Sequence, residues 1–460
     1  MCDSYLVTLA ISATLMQTPE RGCLDVRDVL VVVDGDGWVV GIHPKGSTAA
    51  DADAAAADTH TVLPAGTVLL PGLVDLHVHA PQWPQLGTGL DLPLGDWLAD
   101  YTFPLEARFD DFDFARTVWL DLVESLLAHG TTTAAYFSSR HLNATTELAA
   151  TCHRAGQRAF VGRVAMDHPG ETPPSYRDAS AEAGVTLSAR SIDEIRAIDP
   201  DGQLVRPIIT PRFTPACTDA LLEGLGELAK AVGVPVQTHC SESDWEHDHV
   251  LDRFGASDTT VLERFGLLTR GTILAHVTHA DSNDLERIIE SGAGVAHCPL
   301  SNAYFASAVF PTRRALDLGV PIGLGSDIAG GPSPSLLHQC HQAVTSSRML
   351  EDGANPTRPV AERGVPRSRI NILTAFWMAT VGNARILDLP VGLIKVGYQF
   401  DAVAVDTTLT GSPLRVWEEL DTPERVFEKV VRLAGPAEIS AVWVNGRQVV
   451  DPPLPQTGSS

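Results

Sequence analysis

Pro71-Gly-Leu-Val-Asp-Leu-His-Val-His79 decides the fold: a short apolar run that ends in two histidines two residues apart. On a β-strand, alternate side chains share a face. His77 and His79 therefore point the same way, as two imidazoles must if both bind one metal ion. Further runs with strand character follow at 131–137, 159–166, 206–213, 234–239, 272–276, 293–298 and 321–327, giving eight in all. Segments with helical spacing lie between them, such as Leu221, Leu225 and Leu228 before the fifth run and Leu285, Ile288 and Ile289 before the seventh. Eight β/α units over roughly 250 residues predict an α/β chain folded as one (β/α)8 barrel, whose reactive groups sit at the carboxyl ends of its strands.

Polar residues collect at those ends. His77 and His79 close the first strand, Arg212 the fourth, His239 the fifth, His276 the sixth and Asp327 the eighth. Imidazoles with a carboxylate suit Zn²⁺ or Fe²⁺ with a coordination position left open, whereas a structural zinc site would be closed by thiolates. In Thr238-His-Cys-Ser-Glu242 a carboxylate follows just past the histidine, where strand gives way to loop. Glu242 is thus placed to move protons without ligating the metal.

Together, His77-Val-His79, Thr238-His-Cys-Ser-Glu242 and Gly323-Leu-Gly-Ser-Asp327 resemble the amidohydrolase superfamily. Within it, His79-Ala-Pro-Gln82, Asp91-Leu-Pro-Leu-Gly-Asp-Trp-Leu98, Tyr101-Thr-Phe-Pro-Leu-Glu106, Thr210-Pro-Arg-Phe213, Ala296-His-Cys-Pro299 and Asp327-Ile-Ala-Gly-Gly331 look like the guanine deaminase family. The resemblance implies His77, His79, His239 and Asp327 as metal ligands, with His276 close to the water that the metal activates. It implies Glu242 as general acid/base, with Asp327 accepting the water proton, Gln82 and Arg212 as residues that hold a purine, and Phe213 packing on its ring. The reaction implied is hydrolysis of guanine to xanthine and ammonia. Polar matching of this kind predicts adenine to be a poor substrate. Binuclear relatives bridge two metals through a lysine at the end of the fourth strand; the only lysine between His77 and Asp327 is Lys230, before the fifth. One Zn²⁺ per subunit is expected, with Fe²⁺ also compatible.

Leu300-Ser-Asn-Ala-Tyr-Phe305 departs from the guanine deaminase pattern. Related aminated rings, among them 8-oxoguanine, a pterin or another aminopurine or pyrimidine, therefore stay open as substrates. A scaffold that has lost its chemistry is the third reading, and the joint presence of His77, His79, His239, Glu242 and Asp327 speaks against it.

The chain has 460 residues, enough for a second unit beside the barrel. Apolar strands at 29–33 and 38–42 flank the turn Asp34-Gly-Asp-Gly37, and others at 400–405 and 439–444 precede Asn445-Gly446. The resemblance implies that both ends fold together as a small discontinuous β-sandwich, giving 1–68 and 391–460 to the sandwich and 69–390 to the barrel. The stretch 49–58 is expected as a surface loop, and 335–350 and 371–387 as helices.

A net charge of −24 argues against nucleic acid or an anionic membrane as partner, leaving a small molecule. Seven scattered cysteines suggest neither disulfides nor a thiolate metal site; Cys240 and Cys298 fit as small buried hydrophobes. The apolar stretch 6–16 lacks a basic start and a cleavage region, so a first strand is expected rather than a leader, and a cytoplasmic location with it. The resemblance implies a homodimer.

Overall fold

The computed structural model describes residues 7–451. Leu6, the first residue of the apolar N-terminal stretch, lies outside the described residues. Five strands precede the barrel: β1 (Val7–Gln17), β2 (Asp25–Asp34), β3 (Val39–Pro44), β4 (Thr59–Val62) and β5 (Thr67–Pro71). The barrel strands are β6 (Leu73–His79), β7 (Thr131–Phe137), β8 (Arg158–Gly162) with β9 (Val164–Ala165), β10 (Val205–Pro207) with β11 (Thr210–Pro211), β12 (Gln237–Cys240), β13 (Ile273–His276), β14 (Gly294–His297) and β15 (Ile322–Leu324). After them come β16 (Ala402–Asp406), β17 (Ile439–Val444) and β18 (Arg447–Val450).

The barrel consists of two parallel four-stranded arcs, β10-β8-β7-β6 and β12-β13-β14-β15. Between the fourth and fifth strands the arcs meet through Ile209, whose N–H donates to Pro235 O at 2.9 Å and whose carbonyl accepts from Gln237 N at 2.8 Å. On the other side Asp327 N donates to His77 O at 2.8 Å and His79 N to Ile328 O at 3.0 Å. The Asn383 side chain completes this seam: it donates to the carbonyls of Val74 and Leu324 and accepts from Leu324 N. A Cβ at position 323 would lie 1.5 Å from Asn383 Oδ1, so only glycine admits this stitch. The second seam runs through His77, His79 and Asp327, so closing the barrel there also aligns these side chains.

The third and fourth strands are each broken in two: β10 pairs with β8, Ile209 then bridges to Val236, and β11 returns to pair with β9. Helices cover the outside as the periodicity predicts. Leu221, Leu222 and Leu225 of the helix Asp219–Val232 are buried, as are Leu285 and Ile288 of Ser282–Ser291, whereas Ile289 lies a position off the apolar stripe and is exposed.

Both ends of the chain share one sheet, in the order β18-β17-β16-β5-β1-β2-β3 with β4 on β1. It curls on itself as a small β-sandwich. Ile11, Ala13 and Leu15 of β1 pack with Leu69, Ala402, Ala404, Ala441 and Trp443, while the alternate residues Val68, Leu70, Val403 and Val405 join the barrel core. The hairpin turn at Asn445-Gly446 has positive φ at both positions, 49° and 76°. Two expectations change. The stretch 49–58 is mostly the helix Thr48–Ala56, not a loop: Ser47 caps it by accepting from Ala50 N, alanine has the highest helix propensity, and Ala50 packs with Ala10, Leu30 and Val32. The helix expected over 371–387 is interrupted by a π turn, Met378–Gly382.

Candidate active site

The carboxyl ends of the strands bring the predicted residues together. His77, His79, His239 and Asp327 are all buried, and one ligand atom from each lies within 4.8 Å of the others. Asp327 Oδ1 is 3.1 Å from His77 Nε2 and 3.6 Å from His79 Nε2, and His79 Nε2 is 2.9 Å from His239 Nε2. A second combination, His276, Cys298 and Asp327, shares the same aspartate and so belongs to the same centre.

Imidazole tautomers follow from the outer contacts. His239 Nδ1 faces the Arg212 carbonyl at 2.5 Å, which can only accept, so Nδ1 carries the proton and Nε2 presents a lone pair inward. His276 Nδ1 likewise donates to Asn302 Oδ1 at 2.8 Å, turning its Nε2 toward Asp327 Oδ2 at 3.8 Å and Glu242 Oε1 at 3.7 Å. Buried nitrogens of His77, His79 and His276 have no hydrogen-bond partner. Converging lone pairs, a carboxylate and orphaned buried nitrogens fit a divalent cation, and the donor set of nitrogen and oxygen without thiolate suits a catalytic one.

The electrostatics agree with that arrangement. Burial pushes His77, His79 and His239 below the ordinary imidazole range, most strongly for the last two, so they stand neutral and ready to ligate. Burial alone would raise Asp327, but the imidazoles of His77, His276 and His79 outweigh it and hold the carboxyl well below its usual range. Glu242 goes the other way: burial raises it, and the Asp327 charge adds to the rise. Two carboxylates that both face His276 Nε2 are thereby shifted in opposite directions, as suits a base and an acid. Ser241, His276 and Asp327 all have positive φ, 47°, 70° and 50°, a conformation that costs free energy and gathers where geometry is dictated by function.

Above this cluster opens a cavity of about 900 Å³, lined among others by His79, Gln82, Arg212, Phe213, Glu242 and Asp327. On its wall the Arg212 guanidinium grips Glu106 with two bonds, Nη1 to Oε2 at 2.6 Å and Nη2 to Oε1 at 3.1 Å. Gln82 Nε2 donates to Glu106 Oε1 at 3.1 Å, and Gln82 Oε1 accepts from Ala329 N at 3.0 Å. Arg212 also lies over the Phe103 ring at 5.0 Å. Phe213 stands edge-on to His239 with centroids 6.2 Å apart, and Trp97 and Phe305 pack at 4.9 Å on another wall. Every predicted site residue is thus at this mouth, with His77 and His276 beneath the cavity floor.

Sequence reasoning gave no role to Glu106, Asn302 or Asp75. Glu106 carries the only signal, a carboxylate closing the otherwise apolar Tyr101-Thr-Phe-Pro-Leu-Glu106. Asp75 accepts from His77 N at 3.1 Å and Ser326 N at 2.9 Å, tying the first strand to the eighth beside the candidate ligands. Histidines left without a role stay outside: His247 and His279 stack on each other, and His297 packs on Phe310 within the barrel. Cys240 and Cys298 are buried, and the six described cysteines are free. No helix among the described residues is long and apolar enough to cross a membrane.

Residues 68–449 match the amidohydrolase family model. A probable guanine deaminase of Schizosaccharomyces pombe is 36% identical, over 97% of this chain and 83% of its own length. A guanine deaminase of C. acetobutylicum, solved with guanine in its active site, superposes with a TM-score of 0.84 at 30% identity, covering 96% of this chain and 99% of that one. A zinc-bound adenosine deaminase from Xanthomonas campestris superposes at 0.80 and 25% identity, over 97% and 93% of the two chains.

Proposed function

The chain belongs to the amidohydrolase family, and from that premise we propose that it hydrolyses guanine to xanthine and ammonia. The observation that carries this is the pairing, in one cavity, of the buried His/Asp cluster with the polar wall of Gln82 and Arg212, both held from behind by Glu106. A purine lying between them meets proton-moving groups on one side and oriented donors on the other. The 36% identity to the S. pombe relative and the likeness to the guanine-bound structure support the same substrate.

His77, His79, His239 and Asp327 are the residues that would hold the metal, one ion per chain. When bound, a divalent metal lowers the pKa of water and so makes a nucleophile available near neutral pH. The protein's part is positional and protolytic. Asp327, ionised by its imidazole neighbours, takes the proton of the attacking water. Glu242, whose carboxyl burial keeps protonated more readily than usual, gives a proton to a ring nitrogen as water adds to C2, recovers one from the new hydroxyl on C2 and gives it to the departing amine, after which the proton held by Asp327 restores Glu242. The C2–N bond breaks, ammonia leaves, and the oxygen from water remains on the ring. His276, fixed by Asn302, faces both carboxylates and holds them apart. Arg212 keeps guanidinium N–H groups beyond those given to Glu106, and these suit the oxygen-bearing edge of guanine. Gln82 is held at both ends of its amide and fixes the edge of the pocket; Phe213 lines the face.

Zinc is the metal we infer, supported by the donor set and by the zinc-bound neighbour. A homodimer in the cytoplasm, with a barrel unit over 69–390 and a sandwich unit from 1–68 and 391–460, completes this reading; shared sheet membership of the two ends supports the division. The test is product identity: guanine should be converted to xanthine by the metal-replete protein, with 8-oxoguanine, pterin and adenine turned over far more slowly. Faster turnover of another of these rings would replace guanine as substrate while leaving the metal chemistry in place.

A further inference from the structure

The larger of two prominent cavities, about 1120 Å³, is not at the catalytic mouth but at the opposite end of the barrel. Its wall includes Val205, Pro235, Gly271, Gly292 and Pro321, the residues at or just before the starts of the fourth to eighth strands. That face of such a barrel ordinarily serves stability and carries no reaction. The barrel interior is sealed from it by Phe160, Ile386 and Leu387, which pack with Val74 and Ala296, so the two cavities are separate.

Its charge is out of keeping with the chain. A protein of net charge −24 lines this basin with five arginines. Arg21 pairs with Asp317 and Arg270 with Asp388, but Arg196, Arg206 and Arg385 have no carboxylate within 4.0 Å among the described residues. Arg196 and Arg206 donate only to carbonyls, of Val232 at 3.0 Å and Gly202 at 2.8 Å. Of the three aspartates lining the basin, Asp388 faces Arg270 and Asp199, bonded to the N–H groups of Leu204 and Val205, keeps its charge near Arg206, so five arginines stand against three carboxylates. Arg206 is half-buried, and Arg158 crowds its charge while Asp199 offsets part of that. The rest is apolar and aromatic: Phe160 and Trp377 line it, the latter 5.6 Å beneath Arg385 and with a buried indole N–H that has no partner. The π turn at Met378–Gly382 begins beside that indole, and such turns gather at functional positions.

We propose that this basin is a second ligand site, for a small phosphate ester carrying an aromatic ring, of the nucleoside monophosphate type. The phosphate takes the unpaired guanidinium forks, Arg206 foremost, and the ring takes the aromatic wall at Trp377. The site does not depend on the reaction proposed above.

Calorimetric titration of GMP into the full metal-loaded chain, with xanthine saturating the catalytic cavity, tests it. One GMP should bind per chain, more tightly than inorganic phosphate and more weakly as salt is raised. Arg206→Gln and Arg385→Gln should each weaken it about tenfold, the loss of one charge-assisted contact, while guanine turnover without GMP stays unchanged. No binding at millimolar GMP, wild-type affinity in both variants, GMP binding only when xanthine is left out, or inorganic phosphate binding as well as GMP would each overturn the proposal. A change of oligomer size in the variants without GMP binding would make the basin an interface between copies instead, and would overturn it too.

Discussion

Replacing Glu106 by glutamine tests how the wall proposed to hold the purine is built. Arg212 and Glu106 are both almost wholly buried, at 3% and 1% side-chain exposure, and are joined by two short bonds. Breaking a buried pair on one side costs about 3–5 kcal/mol, because the remaining charge has lost its compensation. Glutamine keeps the shape and one acceptor, so the lower end of that range is expected for stability. The same change frees the guanidinium to leave its fixed orientation and cuts the Gln82 contact. If one charge-assisted contact to substrate is lost with it, about 1.5–3 kcal/mol of transition-state stabilisation goes, or roughly 10- to 150-fold in kcat/KM. Steady-state guanine kinetics, metal content and thermal unfolding of Glu106→Gln should show lowered kcat/KM, wild-type metal and a reduced Tm. A double-mutant cycle with Arg212→Met should be strongly non-additive. A folded Glu106→Gln protein with kcat/KM within about twofold of wild type would refute the reasoning, as would loss of activity that merely follows loss of metal.

Asp327→Asn and His239→Ala should each lower bound metal measured by elemental analysis, while Glu242→Gln should retain it; equal metal loss in all three would contradict the division into ligands and proton carrier. Asp199 gives a pH signature: burial alone would raise its carboxyl, but the N–H groups of Val205, Leu204 and Gln203 outweigh burial and hold it below its ordinary value of about 3.9. With the folded pKa below the unfolded one, this stabilisation is complete above the unfolded value and is lost as pH falls through the folded one, so Asp199→Asn should flatten the acid limb of Tm against pH. Ser47→Ala removes the cap on the helix Thr48–Ala56 and should cost about 1 kcal/mol in chemical denaturation, with guanine turnover unchanged.

The barrel was legible because its strands are apolar runs with polar ends, and because the His77-Val-His79 spacing states a shared face outright. The helix at Thr48–Ala56 was less so: alternating alanine and aspartate looks like a solvated loop until Ser47 caps it and Ala50 finds the sheet. The break in the fourth strand was hidden, since it falls where Ile209 bridges to Val236, a contact no local pattern encodes. The same holds within the site. The ligands sit in recognisable segments, but Glu106 meets Arg212 across 106 residues of chain and Asn302 orients His276 from the following βα loop. Long-range hydrogen bonds that orient a first set of residues leave almost no trace in sequence spacing.

Ammonia release from guanine by the metal-replete protein, set beside the Glu242→Gln variant at matched metal content, tests the central claim most directly. The account predicts ammonia and xanthine in equal amounts from the wild type, and a loss of about 10²–10⁴-fold in the variant, the usual worth of a positioned proton carrier. Turnover in the variant equal to wild type, or no ammonia from a wild-type protein that holds its metal, would contradict it.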